Sequence, residues 1–101
     1  MIRRERAAQP ATLDGFTAMS KAAMKPGVLS AIDKELMALS IGVTTHCDGC
    51  IGFHVKTLVR LGASYDQLTE TLAVAVYMDG GPSLMYAADA VRAWDEFGGK
   101  S

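Results

Sequence analysis

The chain is cut into helix-length pieces. Pro26-Gly27, Gly62, Gly80-Gly81-Pro82 and Gly98-Gly99 interrupt it, and between these breaks apolar residues recur at helical spacing. Leu13, Phe16, Met19 and Ala23 carry a first helix over residues 12–24, which Pro26-Gly27 stops. Ser30 with Asp33, and Ser64 with Gln67, have capping-box spacing: a hydroxyl for the third backbone N–H, and a side chain that reaches back to the cap. They open helices over residues 31–45 and 65–79. A helix over residues 48–61 lies between, with Arg60 complementing its dipole and Gly62 just past its end. Pro82 suits the first turn of a last helix that ends near Phe97. The run from Leu72 to Met78 has strand propensity, but its cap, its length and its neighbours make it helix. The sequence predicts an all-α domain of five to six helices over residues 12–97. A polar leader (1–11) precedes it and a short tail (98–101) follows.

Half of the 101 residues are hydrophobic, which is more than a small domain hides easily. In the helix over 31–45, Ile32, Leu36, Leu39 and Val43 form one stripe, while Met37 and Ile41 lie on the far side. That helix is expected to be buried nearly all round. The remaining excess points to contacts between subunits, and the Tyr77-Met78 and Met85-Tyr86 pairs read as core or interface. The net charge is −1, which gives no reason to expect nucleic acid or an anionic membrane as partner. Arg3, Arg4 and Arg6, interrupted by Glu5, read as a solvated terminus. No apolar run approaches the roughly 18 residues of a membrane span, and no secretory signal opens the chain, so the expected location is the cytosol.

Chemistry concentrates in His46-Cys47-Asp48-Gly49-Cys50-Ile51-Gly52-Phe53-His54. In a reducing compartment a C-x-x-C pair is catalytic or metal-binding rather than part of a disulfide framework. At a helix start, Cys47 lies one turn before Cys50 and His54 one turn after it, with Leu58 and Leu61 continuing an inward stripe. The thiolate is the reactive species, and a free thiol of pKa about 8.5 is only about 3% ionised at pH 7. A helix N-terminus and a nearby proton acceptor both favour it. His54 can take a thiol proton, and the second sulfur can resolve a sulfenic acid into a disulfide. Glu35 sits at the edge of an apolar stripe beside Ala38 and Gly42, small residues that permit close approach of another helix. A carboxylate there must be paired, protonated or exposed. Other readings stay open. Cys47, Cys50, His46 and His54 could close a zinc site, though with poor tetrahedral spacing, or the cysteines could be inert and buried. Glu35 could be half of a structural salt bridge, and His46 reads as a surface or cap residue. A thioredoxin fold lacks its βαβ context.

These residues also carry a resemblance. Glu35-Leu-Met-Ala-Leu, Cys47-Asp-Gly-Cys50 with His54 four beyond, Leu61-Gly62-Ala63 and the Gly80-Gly81-Pro82 break resemble the AhpD-like alkylhydroperoxidase group of the carboxymuconolactone decarboxylase superfamily, over residues 12–97. The resemblance implies an all-helical fold assembled as a homotrimer or homohexamer, with a hydroperoxide as substrate and an external dithiol or thiol protein as reductant. It implies no bound flavin, haem or metal. It gives Cys50 the role of peroxide attacker, Cys47 that of resolver, and Glu35 and His54 that of a proton relay. One position departs: the family's peroxidases carry a histidine directly before the second cysteine, where this chain has Gly49. Two other functions are weighed against this one. One is a decarboxylase or lactone-handling lyase, a branch that does not depend on C-x-x-C. The other is a non-enzymatic oligomeric module that is redox-responsive or zinc-stabilised.

Overall fold

The computed structural model describes Arg4 and residues 7–101. Arg3, Arg6 and three other residues of the expected leader (1, 2 and 5) lie outside the described residues. Five helices follow: α1 (Pro10–Met24), α2 (Ala31–Thr44), α3 (Asp48–Leu61), α4 (Tyr65–Asp79) and α5 (Gly81–Glu96). The fold is all-α, with no strand among the described residues. Pro10 stands in the first turn of α1, two residues ahead of the expected start, where its missing N–H costs nothing.

Local chemistry sets the helix ends. Ser30 Oγ accepts from the Asp33 N–H at 3.0 Å, and Asp33 Oδ2 accepts from the Ser30 N–H at 3.3 Å. Ser64 and Gln67 make the same reciprocal pair at 3.0 and 2.8 Å. At the end of α3, Gly62 takes a left-handed φ of 82°. Its N–H donates to Val59 O, and that of Ala63 to Leu58 O. The run from Leu72 to Met78 is helical throughout.

Helices α2 to α5 form one packed body. α2 packs against α3, α4 and α5, and α5 also packs against α3 and α4. Their shared core holds Leu39 and Val43, Ile51, Val55 and Leu58, Leu68 and Leu72, and Ala90 and Trp94. α1 touches only α2 and buries no residue. It is tied on by Lys34, whose ammonium donates to the Ala23 and Lys25 carbonyls at the end of α1.

Two expectations about faces are corrected. α2 is not buried all round: Leu39 and Val43 are fully covered, but Met37 is 52% and Ile41 60% exposed. Its neighbours α3, α4 and α5 leave its far side open. Tyr77, Met78 and Met85 are exposed on this chain and Tyr86 packs against its core, placements that leave the core-or-interface reading of these pairs uncontradicted. The buried line of α3 runs through Ile51, Val55 and Leu58, so Cys50 and His54 flank the inward stripe, half-buried.

Gly42 sets the spacing of α2 and α3 near the dithiol. A Cβ built on it would stand 3.1 Å from Cys50 Cβ. Gly42 thus meets the expectation of a close helix approach. In urea titrations, Leu39→Ala is expected to cost about 2–5 kcal/mol by emptying a fully buried site, against about 1 kcal/mol for Ser64→Ala, which removes one cap. An alanine at an open helical site gains up to about 1 kcal/mol over glycine. Gly42→Ala is expected to lose stability instead, because its methyl must displace Cys50.

Candidate active site

Cys47 belongs to two helices at once. Its N–H donates to Gly42 O at 2.9 Å and closes the end of α2, while its carbonyl accepts the Ile51 N–H at 3.0 Å and opens α3. It is the N-cap of α3, and its sulfur accepts the Cys50 N–H at 3.3 Å. A cysteine in this place puts sulfur where a serine or aspartate oxygen usually satisfies a free donor. Cys50 lies in the first turn, and the two cysteines form a disulfide with Cα atoms 5.3 Å apart. Asp48 is the acid of that first turn and complements the positive end of the helix.

Glu35 and His54 meet across the α2–α3 contact. Glu35 is buried, and its Oε2 lies 2.6 Å from His54 Nδ1. The carboxylate therefore has a partner, as its burial requires. With Glu35 ionised, Nδ1 carries the proton, and Nε2 is left as the basic edge of the ring. The exposed Phe53 stands edge-on to the His54 ring at 5.2 Å. All four candidate residues thus sit on α2, α3 and the turn between them: the disulfide at the start of α3, and the carboxylate–imidazole pair one turn further on.

His46 is placed elsewhere. Its Nε2 lies 3.3 Å from Asp79 Oδ2, and its ring stacks on Tyr86 with centroids 4.5 Å apart and planes 3° from parallel. The same Asp79 oxygen accepts the hydroxyl of the fully buried Ser83 at 2.5 Å. That hydrogen bond, and secondly the one to His46, hold the Asp79 carboxyl below the usual aspartate range. The sequence reading missed Asp79, Ser83 and Tyr86. One signal was available: Asp79 is the last residue of α4, where a negative charge opposes the helix dipole and needs another reason to be there.

Among the described residues no group of three or more His, Cys, Asp or Glu side chains is arranged to hold a metal ion. This weighs against the zinc reading. A recess of about 310 Å³ lined by Asp48, Ile51, Gly52, Asp89, Arg92, Ala93 and Glu96 opens beside the first turn of α3, but none of the four candidate residues lines it. No described helix is long and apolar enough to cross a membrane.

The fold has close counterparts. A carboxymuconolactone decarboxylase family protein from Legionella pneumophila superposes with a TM-score of 0.92 at 49% identity, covering 94% of this chain and 85% of that one. A family member from Thermotoga maritima, with a suggested part in the antioxidative response, gives 0.79 at 30% identity over 85% of this chain and 89% of its own. An uncharacterised protein of Cupriavidus necator is 42% identical over 88 residues, spanning 87% of this chain and 78% of the relative. Residues 10–93 match the carboxymuconolactone decarboxylase family as a whole. The chain belongs to the carboxymuconolactone decarboxylase family and has its AhpD-like fold.

Proposed function

We propose that this chain is a thiol-dependent reductase of hydroperoxides. The observation that carries the reading is the 2.6 Å Glu35–His54 pair set one helical turn beyond a Cys47–Cys50 disulfide. A buried carboxylate that fixes an imidazole, next to two sulfurs able to bond each other, is a proton acceptor beside a two-electron store. The suggested antioxidative part of the Thermotoga relative supports the same reading.

In the reduced enzyme, His54 takes the Cys50 thiol proton. The Cys50 thiolate attacks one peroxide oxygen: an S–O bond forms, the O–O bond breaks, and the departing alkoxide takes a proton to leave as an alcohol. Cys50 is now a sulfenic acid. Cys47 attacks its sulfur, an S–S bond forms, and hydroxide leaves with a proton as water. The sum is hydroperoxide plus dithiol giving alcohol, water and disulfide. An external dithiol or thiol protein returns the pair to the reduced state by exchange, which places the cycle in a reducing compartment such as the cytosol. The exposed Met37, Ile41, Tyr77 and Met78 support assembly as a homotrimer or homohexamer.

Turnover of cumene hydroperoxide with dithiothreitol is the direct assay. Cys50→Ser is expected to abolish it, and equal rates for Cys50→Ser and the parent chain would remove the proposal. Glu35→Gln keeps a hydrogen-bonding oxygen but not the charge. It is expected to lower kcat/KM by about tenfold to a hundredfold and to flatten the pH profile, with the disulfide still reducible. Gly49 is exposed, and a Cβ there would meet nothing within 4 Å, so the position is open to a side chain such as the family's histidine. Gly49→His is expected to raise kcat/KM several-fold. Activity on a lactone acid that survives Cys47→Ser/Cys50→Ser would point to the lyase branch instead.

A further inference from the structure

Three helices end in the same hydrogen-bond pattern, and one of them departs in its choice of residue. At the ends of α3 and α5 the left-handed residues are Gly62 (φ 82°) and Gly98 (φ 80°). Each donates its N–H to the carbonyl three residues back, and the following residue donates to the carbonyl five back. The end of α2 repeats this, with His46 N–H to Val43 O at 3.2 Å and Cys47 N–H to Gly42 O at 2.9 Å. There the left-handed residue is His46, φ 58°, the only non-glycine of positive φ among the described residues. A side chain in that conformation costs on the order of 1 kcal/mol that glycine does not. Such strain persists where the surroundings over-determine it.

The surroundings hold the ring at one face and one edge. Asp79 holds Nε2, Tyr86 covers the face, and buried Ser83 fixes Asp79. These groups lie at the α4–α5 corner, so His46 ties the turn before α3 to that corner. The residue after His46 is Cys47.

We propose that His46 is a positioning residue for the dithiol: clamped by Asp79 and Tyr86, it fixes the left-handed turn that delivers Cys47 to the start of α3 within bonding reach of Cys50. The inference rests on the redox use of the Cys47–Cys50 pair in the reading above, but not on the identity of the oxidant. Release of the clamp frees the Cys47 sulfur in the dithiol state, lowers its effective concentration at Cys50 and disfavours the disulfide.

His46→Gly separates this role from that of an ordinary helix end, because glycine takes the left-handed φ without strain but offers no side chain by which Asp79 and Tyr86 can hold the turn in place. The full-length chain is equilibrated with glutathione, where the protein disulfide and two glutathione thiols give the dithiol and glutathione disulfide. His46→Gly is expected to move that equilibrium at least tenfold toward the dithiol, or about 30 mV, with stability to urea equal or raised. Asp79→Ala and Tyr86→Leu are expected to move it the same way. His46→Gly/Asp79→Ala is expected to go no further than either single change. A His46→Gly chain that is more stable to urea but lies within twofold of the parent equilibrium would overturn the proposal. No peroxide enters this measurement. A chain inactive on cumene hydroperoxide that still shows the tenfold shift would refute the peroxidase reading and leave the clamp standing.

Discussion

The approach of α2 to α3 at Gly42 is the contact on which the site depends. With 3.1 Å between a notional Gly42 Cβ and Cys50 Cβ, the two helices are as close as backbones with one side chain between them allow. That proximity lets the chain pass from one helix to the next through only residues 45–47, makes Cys47 the end of one and the start of the other, and brings Glu35 across to His54. Larger side chains along this seam would separate Glu35 from His54, and a buried carboxylate left alone costs several kcal/mol or stays protonated.

The two sulfurs are served by different devices. Cys47 receives a backbone donor at the helix start, while the carboxylate–imidazole pair lies on the helix one turn past Cys50. Magnitudes show why a helix end is insufficient by itself. Making a thiol mostly ionised at pH 7 takes about two pKa units, or roughly 2.7 kcal/mol. A helix terminus contributes typically about 0.3–1 kcal/mol. The proposed cycle assigns the remainder to a local proton acceptor, His54, whose Nδ1 is held by Glu35. In the proposed cycle the donor at Cys47 and the acceptor near Cys50 therefore answer different needs: one steadies the sulfur that leaves during re-reduction, the other primes the sulfur that attacks.

What the sequence made legible was local. Both capping boxes, the start and end of α3 and the Gly62 terminus depend on residues within one turn of each other, and all stand where the spacing puts them. The phase of the inward stripe was misread because steps of four residues drift by about 40° each at 3.6 residues per turn. Leu58 is therefore far round the helix from Cys50, and the covered line passes through Ile51 and Val55 instead. The exposure of Met37 and Ile41 was not legible at all, since periodicity reports which residues are apolar and not what covers them. The Glu35–His54 contact joins residues 19 apart on different helices. Spacing offered only the small neighbours Ala38 and Gly42, and family resemblance named the pair. The Asp79–His46 contact spans 33 residues and left no pattern beyond one acid at the wrong end of a helix.

The length of the loop closed by the disulfide bears on what the bond is for. Cross-linking residues three apart removes little freedom from the unfolded chain: the loop-entropy relation gives about 2 kcal/mol here, against about 4.7 kcal/mol for a 100-residue loop. The four packed helices meet through Leu39, Val55, Leu68, Trp94 and their neighbours, none of which needs the sulfurs joined. Opening the bond therefore leaves the scaffold standing. Half-burial at the flank of the stripe suits the same end. A fully buried pair would exclude the reductant, and a fully exposed one would lose the low-dielectric neighbourhood that strengthens the Glu35–His54 bond. A bond that adds little to stability, at the edge of a core that does not require it, can be made and broken on every cycle while the helices around it stay fixed.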